Sequence, residues 1–152
     1  MLWLYATWLI KVFLYFGSIF VIGGAFCYFL LGRYIDINRT ILKYITLGAG
    51  LGSFSSVFGF FLLIGSFANI GLSRLWDINY INILINTATG HIYIIRAVSF
   101  LALLLFMLFK LNRGTTQVSK IEGTIFVILL MPIIISFSQL GHITQLTLFA
   151  QF

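Results

Sequence analysis

Thr87-Ala88-Thr89-Gly90-His91-Ile92-Tyr93-Ile94-Ile95-Arg96 runs straight into the apolar stretch Ala97 to Phe109. A soluble protein rarely needs an ionisable cluster at the mouth of so apolar a helix, and a bilayer rarely holds one without a use for it. Near the far end of the chain stands a second such cluster, Ser136-Phe137-Ser138-Gln139-Leu140-Gly141-His142-Ile143-Thr144-Gln145, which carries the only other histidine. The two stretches are expected to face each other at one membrane surface.

Working outward, 61% of the residues are apolar and 8% charged, with a mean hydropathy of +1.12. Four separated apolar runs, about 12–31, 44–70, 91–109 and 123–140, each approach the ~20 residues that cross ~30 Å of hydrocarbon. They are long and continuous and lack period-2 alternation, which favours helices over a barrel. The expected fold is therefore an all-α integral membrane protein: a single domain over residues 1–152, built as a four-transmembrane-helix antiparallel bundle. Trp3, Tyr5 and Trp8 ahead of Lys11 read as an interfacial belt before the first span, which is expected to be retained because it lacks the flanks of a secretory signal.

A net charge of +6 does not point to nucleic acid, because the Lys and Arg residues gather at span ends. The first loop, Gly32 to Lys43, holds Arg33, Arg39 and Lys43; the third holds Lys110, Arg113 and Lys120; the second holds only Arg74. By the positive-inside rule the first and third loops are cytoplasmic and both termini lie on the outer side. Gly71 to Asn86 reads as a surface loop anchored by Trp76. Within the second span Gly48, Gly52, Ser55, Ser56 and Gly59 recur at spacings of three and four, a stripe that lets another backbone come close.

This topology puts His91, at the start of the third span, and His142, at the end of the fourth, on the same outer side. Neutral imidazole binds copper, zinc or haem iron. Met131, Cys27 and Met107 are candidate soft donors for a Cu(I) path across the membrane. Tyr93, Arg96 and Ser99 share a face that turns toward the bundle, and a structural or gating ion pair for Arg96 has Asp77 as its one outer-side acidic candidate. Asp36, Asp77 and Glu122 are scattered over loops, and neither a paired-carboxylate site nor a phosphate-binding loop occurs, so no enzyme is expected.

Leu75-Trp76-Asp77, then Leu84-x-x-Thr87-x-x-Gly90-x5-Arg96, then Ser138-x-Leu140-Gly141-His142, after an early Gly-Gly span, resembles the amino-terminal four helices of the bacterial copper-resistance protein D (CopD) family. Thr87, Gly90, Arg96, Gly141 and His142 match that pattern by position. The resemblance implies a multi-pass inner-membrane protein that moves or handles copper, with a periplasmic copper-binding partner. Members of the family are longer, so homodimerisation or another membrane subunit is expected to supply further helices. Two other functions compete: a b-type haem protein in electron transfer with His91 and His142 as axial ligands, and a non-catalytic subunit or assembly factor of a membrane complex.

Overall fold

A computed structural model describes the backbone of residues 2–31, 35–68, 78–113 and 120–149, and the side chains within 5–30, 39–65, 78–113 and 121–137. All described secondary structure is helical: α1 (Leu2–Leu31), α2 (Ile35–Ala68), α3 (Ile78–Ile85), α4 (Ala88–Arg113) and α5 (Lys120–Phe149). Three segments are long and apolar enough to cross a membrane, Tyr5–Leu30, Arg39–Gly65 and Ala88–Arg113, while the apolar part of α5 with described side chains is the shorter Ile121–Phe137. Large apolar side chains cover the outside, among them Phe26 at 66% and Leu30 at 67% exposure. A water-soluble monomer does not present such a surface; a bilayer covers it.

The long helices are antiparallel neighbours. Along α1 and α2 the contacts run in opposite directions, Gly17 meeting Gly48 and Gly52 while Gly24 meets Ile45. Gly59 against Tyr93 and Gly52 against Phe100 do the same for α2 and α4. Arg96 reaches Ser136 and Lys110 reaches Glu122 between α4 and α5. The stacked pair Tyr15–Phe137 and the pair Phe29–Phe126, with centroids 5.8 and 6.0 Å apart, bring α5 back to α1. Leu14, Val21, Ile45, Ala49, Phe100, Leu103, Met107 and Ile133 fill the interior.

Small residues make this packing close. A Cβ on Gly17 would lie 2.7 Å from the Gly52 nitrogen and 2.8 Å from the Gly48 oxygen, both backbone atoms, and one on Gly52 would enter the Phe100 ring. Ser53, Ser55 and Ser56 return their hydroxyls to carbonyls four residues back, so α2 carries them without leaving buried donors unmet. The stripe of the second span is thus occupied by α1 and α4 of the same chain. It cannot also serve as the surface of a homodimer, and that basis for homodimerisation is withdrawn.

Several boundaries differ from the sequence reading. The surface loop expected from Gly71 to Asn86 contains α3. Its asparagines, Asn79 and Asn82, and Asn86 in the turn that follows, stand three and four apart and are exposed, while Leu84 is buried; this is the pattern of an amphipathic helix. Trp76 lies outside the described residues. Arg39 and Lys43, expected in a loop, belong to α2, and Lys110 and Arg113 belong to the last turns of α4. The helices outrun the apolar spans because long basic side chains can leave a helix end and reach the interface while the backbone stays helical. α5 likewise continues beyond residue 140.

Candidate functional site: a buried guanidinium between α4 and α5

The turn from α3 into α4 is made by Thr87 and Gly90. The Thr87 hydroxyl donates to the Leu84 carbonyl at 2.7 Å and accepts from the Gly90 N–H at 3.1 Å, and the Thr87 carbonyl accepts from the His91 N–H at 3.0 Å. Thr87 is therefore the N-cap of α4, an interaction that contributes about 1 kcal/mol. A Cβ at position 90 would run into the Leu84 carbonyl oxygen, so only glycine lets α3 end this close to α4. The Thr-x-x-Gly spacing has a local purpose: it fixes the start of α4 and hence the rotation of the helix that carries Arg96.

From that start, Ile92, Arg96, Ser99, Phe100, Leu103, Met107 and Lys110 form the buried face of α4. Arg96 is 1% exposed. Its Nε donates to the Ser136 hydroxyl at 2.9 Å and its Nη2 to the Ser136 carbonyl at 3.1 Å. The Ser136 hydroxyl gives its own proton to the Ile133 carbonyl at 2.6 Å, which leaves its lone pairs turned to the guanidinium. Phe137 covers the cation with its ring centroid 4.6 Å from Cζ, and the Tyr93 ring lies 5.7 Å away; both are within the ~6 Å range of a cation–π contact.

The Arg96–Ser136 contact joins the two polar stretches: Arg96 is the last residue of the first, Ser136 the first residue of the second. Sequence reading paired the stretches by topology and gave Ser136 and Phe137 no role. The signal for both was the antiparallel register, which needed one fixed contact before it could be used. Glu122 is the only acidic side chain among the described residues, and it lies at the other end of α4, beside Lys110. Fourteen residues separate Lys110 from Arg96, or about 21 Å of helix. Among the described residues, the buried Arg96 is held by neutral acceptors and aromatic faces. Asp77, its expected ion-pair partner, lies outside the described residues.

At the opposite end, Lys110 is 4% exposed, and its Nζ is 2.9 Å from Glu122 Oε2 and 5.6 Å from the Tyr28 ring centroid. This second cluster ties the end of α4 to the start of α5 and to α1. The loop assignment of Lys110 and Glu122 had hidden it.

The candidate metal ligands are distributed differently. His91 sits exposed in the first turn of α4. Gly141 and His142 belong to the helical backbone of α5, with side-chain positions outside the described residues. Met107 is buried in the core, Cys27 is exposed, and Met131 is 51% exposed. Among the described residues no group of three or more His, Cys, Asp or Glu could hold a metal ion. In comparison with known proteins, no family model, no curated protein and no solved structure matches the chain.

Proposed function

We propose that this chain is a bacterial inner-membrane protein of copper homeostasis or resistance that receives copper on its outer side, with His142 and His91 as ligands. The reading has α1, α2, α4 and α5 crossing the bilayer, both termini outside, and the Arg33, Arg39, Lys43, Lys110, Arg113 and Lys120 end in the cytoplasm. One observation carries it: the Arg96–Ser136 contact that brings the two polar stretches together. From that contact the helical rise runs five residues to position 91 and six residues to position 142, in antiparallel helices, so the two positions reach nearly the same height, about 7.5 and 9 Å above it. Two imidazoles at the rim suit copper, with the remaining donors supplied by a periplasmic copper-binding protein.

Arg96 gives the site a direction. A permanent cation below the histidines, in surroundings of low dielectric, repels a metal ion that moves inward along the α4–α5 seam. In this reading copper is held and exchanged at the outer rim rather than passed between these two helices.

The test is metal content and visible absorption of the purified protein after exposure to copper. Wild type is expected to retain copper, and His142→Ala to lose most of it, with no Soret band in either. A Soret band would replace the reading with bis-histidine haem, and equal copper in both proteins would remove His142 as a ligand. Absence of both metal and haem would favour a non-catalytic membrane subunit.

A further inference from the structure

The contacts of Gly52 with Phe100 and of Gly59 with Tyr93 fix the register of α2 against α4. Equal steps away from Gly52 and Phe100 bring Lys43 level with Phe109, and Arg39 level with Arg113. Three cations therefore stand at the same end of two neighbouring helices. That level is the edge of the apolar layer, because Arg39 opens the membrane-crossing segment of α2 and Arg113 closes that of α4.

Arg39 and Lys43 precede Gly50 by about three and two helical turns, which puts all three on one flank of α2. There a Cβ at Gly50 would lie 4.0 Å from Leu104 Cδ1 of α4, so both cations stand on the side of α2 that faces α4. Across from them Asn112 and Arg113 end α4, and all four side chains are exposed. The Arg113 guanidinium lies over the Phe109 ring, 4.2 Å from its centroid. One turn or two toward the middle of the membrane, the same register sets Leu47 level with Leu105, 61% and 60% exposed.

Among the described residues these cations meet no acid, since Glu122, the one acid described, is engaged by Lys110. Asp36 has its side chain outside the described residues; even paired with Arg39 it would leave Lys43 and Arg113 uncompensated. Over residues 32–43 and 110–122 the sequence holds six Lys or Arg against two acids. A surplus of positive charge at the height of the headgroups, with exposed apolar side chains beneath it on both helices, is complementary to an anionic lipid.

We propose that Arg39 and Lys43 of α2, with Asn112 and Arg113 of α4, bind the headgroup of an anionic phospholipid whose acyl chains run along Leu47 and Leu105. Arginine offers its phosphate a planar fork of donors and lysine a compact charge. The site requires only that α2 and α4 cross the bilayer. It is independent of the histidines and of copper.

Native mass spectrometry of the full chain, equilibrated with an equimolar mixture of dioleoyl phosphatidylglycerol and dioleoyl phosphatidylcholine, tests it. Wild type is expected to retain phosphatidylglycerol in several-fold excess. Arg39→Gln with Lys43→Gln should bring the ratio near one, Arg113→Gln should lower it part of the way, and Arg39→Lys with Lys43→Arg should preserve it. Lys11 supplies the control: it is exposed on α1 at the level of Gly59, about 30 Å of helix from Arg39, and Lys11→Gln should leave the ratio as in wild type. Because the substituted side chains are exposed, every variant is expected to melt beside wild type. Equal retention of the two lipids by wild type, or an unchanged preference in Arg39→Gln with Lys43→Gln, would overturn the proposal. A fall in Lys11→Gln as large as in that double variant would do so as well, since net charge and not this site would then attract the lipid.

Discussion

Gly17→Leu is expected to separate α1 from α2 and to cost about 3 kcal/mol or more, the upper end of the range for overpacking a close contact. The reason lies in which atoms stand in the way. At position 17 a side chain meets the backbone of Gly48 and Gly52, and backbone cannot turn aside as the end of a flexible side chain can. The helices would have to move apart, and Gly24 against Ile45 would open with them. Gly23, farther along the same helix, supplies the control, because it faces open space. Thermal unfolding in detergent should show Gly17→Leu melting well below wild type and Gly23→Leu beside it. Equal melting of both variants would mean that α1 does not pack on α2 through its glycines.

Glu122→Ala should destabilise the bundle by about 3 kcal/mol, the lower end of what removal of one partner from a buried pair costs. Lys110 is 4% exposed, so loss of the carboxylate leaves a nearly buried ammonium with no described anion; Glu122 itself is 33% exposed, which keeps the effect from being larger. Removal of both charges in Lys110→Met with Glu122→Gln should restore most of the lost stability, because an uncharged pair has no unmet charge to bury. The same unfolding measurement distinguishes the two variants. A silent Glu122→Ala would show that Lys110 reaches water unaided.

Much of the fold could be read from the residues, and the reasons are specific. Long apolar runs leave the backbone no alternative to helix in a bilayer, so helical class follows from composition, and the stripe from Gly48 to Gly59 announces close packing. What the stripe cannot say is who packs there. A partner chain and the chain's own α1 and α4 would select the same small residues, and only the register of Gly17 with Gly48 and Gly52 decides between them. Charged residues were assigned to loops because charge avoids hydrocarbon. That rule failed at Lys110 and Glu122, where the two charges neutralise each other within helices.

The candidate site was legible in outline. Thr87, Gly90 and Arg96 could be singled out by spacing, yet spacing does not separate a ligand-binding pattern from a helix cap, and the hydrogen bonds of Thr87 and the closeness of Gly90 to Leu84 assign these two to the cap. Arg96 called for an acid by ordinary charge pairing. Among the described residues a serine hydroxyl, the same serine's carbonyl and two aromatic rings hold it, neutral partners to which the pairing of opposite charges in the sequence does not point; Asp77 lies outside the described residues. Ser136 looked like one small polar residue among several until the antiparallel contact gave it a partner.

The account depends on the start of α4 and the end of α5 lying side by side at one membrane surface. The most direct measurement is the distance between spin labels on cysteines introduced as His91→Cys and His142→Cys, in a Cys27→Ser background and in lipid bilayers. Packed helices lie 8–10 Å apart, so labels on neighbouring helices at equal height should fall within about 20 Å of each other. Separations near ~30 Å, the thickness of the hydrocarbon layer, would put the two positions on opposite sides and contradict the account.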